Sequence, residues 1–151
     1  MPEYQIKTRN DCSPQGKPRV YFCAHPADKV HYWDMIADEI LNLYNVAVFC
    51  STFEGEPPSQ SDEHFSNLSE AQLFVFPVTA NLLSEDSFAM TEIDFARKKH
   101  IPILPLMQEK GLEKDFTNTF GNIQFLYNNV EDQSALSYES TQQIHDICYL
   151  I

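Results

Sequence analysis

Glycine is scarce in this chain, 4 in 151 residues, and that alone removes several classes of function. Neither GxGxxG nor GxxxxGK followed by Ser or Thr occurs, so no glycine-rich loop cradles a phosphate. The GxSxG elbow of a serine hydrolase is missing as well. Basic residues are also few: 10 Lys and Arg stand against 22 Asp and Glu, a formal charge of −12. Such a surface repels phosphate backbones and anionic lipid, which argues against nucleic acid and membrane as partners. Short basic stretches survive only at 7–9 and 97–100, enough for a small anion such as a dinucleotide.

The four cysteines, Cys12, Cys23, Cys50 and Cys148, have no CxxC spacing. Neither a zinc site nor a disulfide framework is expected, and free thiols in apolar runs fit a reducing cytosol. His25, His31, His64, His100 and His145 are scattered, with no metal-ligand spacing. No apolar run approaches the length of a membrane span. The expectations are a cytoplasmic protein with no bound metal.

What the chain has is a core: 43% apolar residues, including 11 Phe and 7 Tyr, in a length suited to one domain. Residues 1–17 are polar, punctuated by Pro14 and Gly16, and read as a flexible leader. From residue 18 short apolar runs alternate with helical segments. Strands are predicted near 20–24, 46–50, 73–78, 101–107 and 123–127. Helices are predicted near 30–44, with Asp28 as N-cap, and at 62–70, 86–100, 112–120 and 137–151. Pro102 and Pro105 point to an irregular or edge position for the fourth strand. Five alternations predict a flavodoxin-like three-layer α/β sandwich around a five-stranded parallel sheet in the order 2-1-3-4-5. The apolar end at 148–151 is expected to mark a domain cut from a longer protein, with further domains as partners.

Open α/β sheets bind ligands outside the carboxyl ends of their strands. A phosphoryl-receiving domain would need acidic residues after the first strand and at the end of the third. Those places hold Cys23-Ala24-His25 and Val75-Phe76-Pro77. Glu92 remains, on the helix after the central strand and one turn beyond Phe88. An ordinary helical Glu is a solvated surface residue. Its place after the central strand, with an aromatic on the same helix face, instead predicts a carboxylate in a cleft bounded by the first and third strands and the 51–60 connection. Such a carboxylate suits stabilising a positively charged sugar centre. Being in a cleft, it is expected to carry no more than about 1 kcal/mol of stability.

The order of elements, with Phe22-Cys23-Ala24-His25, Ser87-Phe88-Ala89-Met90-Thr91-Glu92 and Ile101-Pro102-Ile103-Leu104-Pro105-Leu106, resembles a Toll/interleukin-1 receptor (TIR) domain of the bacterial kind over about 18–150. Phe88 stands in the place of the family's Trp, four residues before its Glu. The 51–60 segment, with Gly55 and Pro57, occupies the place of the family's BB loop. Ala24 and His25 replace the usual Ser and Tyr, and the RDxxPG loop signature and FW pair of adaptor members are missing. The resemblance implies cleavage of the nicotinamide–ribose bond of NAD, with NAD as substrate and no cofactor. Glu92 is then the catalytic residue, and Phe88, His25, Ala24, Phe53 and Gly55 border the substrate. It also implies self-association through TIR–TIR contacts and a role in bacterial anti-phage or stress signalling. Two other readings stay open: a non-catalytic TIR module that assembles with other TIR domains or binds a nucleotide, and a nucleoside N-glycosidase or deoxyribosyltransferase.

Overall fold

The apolar run at 73–78 has no polar side to offer water, so it must be covered on both faces. The computed structural model describes residues 4–51, 61–84, 88–109, 111–121, 123 and 125–127. In it that run is β4 (Leu73–Val78), buried at every residue. Before it come β1 (Tyr4–Lys7), β2 (Arg19–Phe22), α1 (Pro26–Leu43), β3 (Ala47–Ser51) and α2 (Ser61–Leu68). After it come α3 (Ala80–Ser84), α4 (Phe88–Lys98), β5 (Ile103–Met107), α5 (Glu113–Phe120) and β6 (Leu126–Tyr127). The sheet order is β1-β3-β2-β4-β5-β6.

Side chains alternate between the two faces with the period of a strand. Val20, Phe22, Val48, Val75 and Leu104 meet Trp33, Ile36 and Ile40 of α1. Tyr21, Phe49, Phe74 and Phe76 meet Leu68, Leu82, Ile93, Phe116 and Phe120, which come from α2, α3, α4 and α5. The result is the expected three-layer α/β sandwich. Fully buried side chains such as Ile36 and Phe76 contribute about 1.5–3 kcal/mol each through removal from water.

The sheet departs from the expected one in having a sixth strand. β2 to β6 are parallel and keep the predicted relative order. β1 is antiparallel to β3, pairing Tyr4 with Ser51 and Lys7 with Val48. Residues 4–7 were expected within a flexible leader; in the structure they close one edge of the sheet. Lys7 reaches Asp34 at 2.7 Å and Asp38 at 3.1 Å, one turn apart on α1. The Arg9 Nε donates to the Leu41 carbonyl at 3.0 Å.

Two smaller expectations also need correction. β5 lies inside the sheet, between β4 and β6. Its Pro105, and Pro77 of β4, fall where the ladder is one-sided. Pro77 lies past the residues of β4 paired with β2, and Pro105 lies before those of β5 paired with β6. A missing N–H is tolerated there. The N-cap of α1 is His25 rather than Asp28: its Nδ1 accepts from the Ala27 N–H at 3.1 Å. Pro26 at the first helical position supplies the preset φ, which leaves Asp28 inside the first turn. The predicted helix at 137–151 lies outside the described residues.

Candidate functional site

Glu92 is carried by α4, whose buried residues are Ala89, Glu92, Ile93 and Ala96. The spacing 89, 92, 93, 96 is one stripe of a helix, so this Glu is on the core side. It is 4% exposed. The structure thus replaces the expected open-cleft carboxylate with a buried one. An isolated buried carboxylate is costly, and the surroundings of Glu92 compensate with hydrogen bonds.

Three donors converge on it. The Tyr21 hydroxyl donates to Oε2 at 2.6 Å. His64 Nε2 lies 2.6 Å from the same oxygen. The Cys23 thiol is 3.4 Å from Oε1, with the Ala89 carbonyl an alternative acceptor at 3.4 Å. Tyr21 and Cys23 share a face of β2 and its extension because they are two residues apart. His64 comes from α2 and is fully buried. The Tyr21 and Cys23 pKa values are both pushed well up, first by burial and then by the Glu92 charge. Both groups therefore hold their protons and remain donors.

The network extends at both ends. Tyr21 also lies 3.4 Å from Ser51 Oγ, which accepts from Lys29 Nζ at 3.1 Å. On the other side the Tyr4 hydroxyl is 2.7 Å from His64 Nδ1, and Asn67 Nδ2 donates to the Tyr4 oxygen at 3.3 Å. A chain of contacts runs Asn67, Tyr4, His64, Glu92, and each bond polarises the next.

The other predicted site residues are distributed unevenly. Phe88 is half-buried one turn before Glu92, with its ring 5.8 Å from His64 and 5.7 Å from Phe65; it belongs to the aromatic packing around the imidazole. Ala24 is buried in the cluster on the α1 face, across the sheet from Glu92, so the structure does not bring these two together. His25 caps α1. Phe53 and Gly55 lie outside the described residues, on the segment that departs from Ser51. Among the described residues no group of His, Cys, Asp and Glu is arranged to hold a metal.

Sequence reasoning missed Tyr4, Tyr21, Cys23 and His64. A signal for three of them existed. Tyr21 and Cys23 alternate in the first buried run, and His64 sits one turn from Leu68 on the apolar face of α2, where an unpartnered imidazole would be costly.

A second buried carboxylate sits near the carboxyl ends of β2 and β4. Asp28 Oδ2 accepts from Thr79 Oγ1 at 2.5 Å and Oδ1 accepts from Asn81 Nδ2 at 3.1 Å. Thr79 in turn caps α3 through the Leu82 N–H. This joins the start of α1 to the start of α3.

Fold and site together define an α/β sandwich with a buried, three-donor glutamate. No family model and no curated protein matches the chain. Among solved structures, a pilus assembly-related protein from Burkholderia pseudomallei is similar, with a TM-score of 0.52 and 12% identity. The match covers 92% of this chain and 95% of that one. At that identity the likeness carries the fold alone. No helix among the described residues is long and apolar enough to cross a membrane.

Proposed function

We propose that this chain is an NAD glycohydrolase of the bacterial TIR kind, releasing nicotinamide and ADP-ribose or a cyclic isomer of it. The observation that carries the reading is the Glu92 carboxylate, fixed by Tyr21, Cys23 and His64 close to Ser51, where the 52–60 segment departs. Nicotinamide leaves as a neutral group and needs little acid catalysis. The barrier lies in an oxocarbenium-like ribose. A carboxylate whose orientation is set in advance, in a place poor in water, stabilises such a cation without reorganising during the reaction. Tyr21 and Cys23 keep their protons and so remain donors to the Glu92 side chain. Cytoplasmic anti-phage or stress signalling, with a site completed by self-association through 52–60, follows from the TIR resemblance.

The test is direct. Purified protein is incubated with NAD at high concentration and nicotinamide is followed, with Glu92→Gln as the paired control. Release by the wild type that rises more than linearly with protein concentration, and is lost in the variant, supports both chemistry and assembly. Glu92 is 5% exposed at its side chain and does not line the open pocket on the same face of the sheet, which favours a second reading. In that reading the network is structural and the chain is a non-catalytic TIR module. Absence of nicotinamide from folded, concentrated wild type decides for it.

A further inference from the structure

Beside α2 a pocket of about 480 Å³ lies over β1 and β3, within the range of small-molecule sites, about 300–1,000 Å³. Its apolar part is built by the sheet. Ile6 is 54% exposed, one of two large hydrophobics left in solvent among the described residues, and Phe49 is its cross-strand partner. The rings of Tyr4 and Phe49 meet edge to face, 5.7 Å between centroids at 78°. An aromatic corner of this kind packs well against a further flat ring.

The polar lining is mixed, both in charge and in hydrogen-bonding kind. Arg19, which also pairs with Glu70, and Glu63 set one charge of each sign on the rim. An ion of either sign therefore meets attraction and repulsion together. The neutral groups are more selective. Two side-chain amides line the pocket, Gln15 from the segment ahead of β2 and Asn67 from α2, and Ser13 adds a hydroxyl. One Asn67 N–H is used on the Tyr4 oxygen. The rest of that amide and the whole Gln15 side-chain amide make no hydrogen bond among the described residues. Whichever way it is turned, an amide presents a donor and an acceptor side by side. The edge that answers it is again a donor beside an acceptor, as the N6 amino group and N7 of adenine are.

We propose that this pocket binds a neutral heteroaromatic ring with a donor beside an acceptor on its edge, the chemistry of an adenine nucleoside. The ring lies on Ile6 against the Tyr4–Phe49 corner, and its edge pairs with the amides of Asn67 and Gln15. Glu92 does not line the pocket, so this is a second site, and it does not rest on the NAD reading.

The isotopically labelled full chain is titrated with adenosine and followed by NMR, which needs no turnover and succeeds or fails independently of NAD cleavage. Adenosine is expected to give saturable shifts at Tyr4, Ile6 and Phe49 and in the side-chain amides of Gln15 and Asn67, equally in wild type and in Glu92→Gln. Purine riboside, the same ring and sugar without the amino donor, is expected to bind about tenfold more weakly, as loss of one hydrogen bond requires. Benzamidine and benzoate, flat rings of opposite charge, are expected to leave these signals in place. Gln15 and Ile6 are exposed, so their replacement leaves the fold intact. Gln15→Ala and Ile6→Ser should each weaken adenosine about tenfold. No saturable shift, equal binding of purine riboside, a response to either charged ring that matches adenosine, or undiminished binding in both Gln15→Ala and Ile6→Ser overturns the proposal. Loss of adenosine binding in folded Glu92→Gln puts the ligand at Glu92 and overturns the second site.

Discussion

Glu92 and Asp28 are two buried carboxylates, 4% and 6% exposed, and they are held in chemically different ways. Asp28 is clamped by a threonine hydroxyl and an asparagine amide, donors that neither gain nor lose a proton in water. Glu92 is held by a phenol, a thiol and an imidazole, every one of them titratable. The first arrangement joins the start of α1 to the start of α3. The second places exchangeable protons around a buried carboxylate, the kind of arrangement that marks a candidate site. Burial alone does not distinguish them; the chemistry of the donors does.

The largest effect is expected at Glu92. Glu92→Gln keeps the shape and removes the charge, and nicotinamide release should fall by about 10²–10³-fold. A comparable rate in the variant would erase the contrast with Asp28. Glu92→Ala in addition strands three buried donors. It should lower stability in urea by about 3 kcal/mol or more, well above the 1 kcal/mol expected of a cleft residue.

Alkaline pH should sharpen the contrast next. Burial pushes the Cys50 thiol from 9.0 up to about 11, and burial followed by the Glu92 charge pushes Cys23 and Tyr21 up too. These groups ionise more readily in the unfolded chain. Their contribution is therefore intact below the unfolded thiol value and is lost as pH rises through the folded one. The urea midpoint should hold to about pH 8 and fall between 9.0 and about 11, by up to about 1.4 kcal/mol per pH unit for each thiol. In the native protein iodoacetamide should label exposed Cys12 and spare buried Cys23 and Cys50, as peptide mapping would check.

Asp28→Ala should cost about 1–3 kcal/mol by leaving Thr79 and Asn81 without their acceptor. Nicotinamide release per folded molecule should not change; if it falls as far as in Glu92→Gln, the division between clamp and site is wrong. Tyr4→Phe should be the mildest change, about 1 kcal/mol, read as a small shift of the same urea midpoint.

Much of the scaffold was legible because period and burial agree. The runs at 46–50 and 73–78 have no polar face, and the spacing Trp33, Ile36, Ala37, Ile40 marks a helix packed on one side. β1 was not legible, since Tyr4-Gln5-Ile6-Lys7 is too short and polar to show alternation and takes its strand geometry from β3. Of the site, Glu92 stood out by its place after the central strand. Its burial did not, because that depends on Tyr21, Cys23 and His64, which are 71, 69 and 28 residues away. Pairings at such separations leave no mark in a local pattern.

β1 also decides how this protein behaves in concentrated solution. It covers Val48–Ser51 of β3 by antiparallel pairing, and β3 reads Ala-Val-Phe-Cys-Ser with every residue buried. A shortened chain starting at residue 18, the boundary that composition points to, would bare an uncharged, apolar strand edge with unpaired N–H and C=O groups. Such edges recruit other strands. The shortened protein would then associate through β3 at high concentration, in the same range where assembly through the 52–60 segment would be sought. Any concentration-dependent activity has to be measured with Tyr4–Lys7 in place.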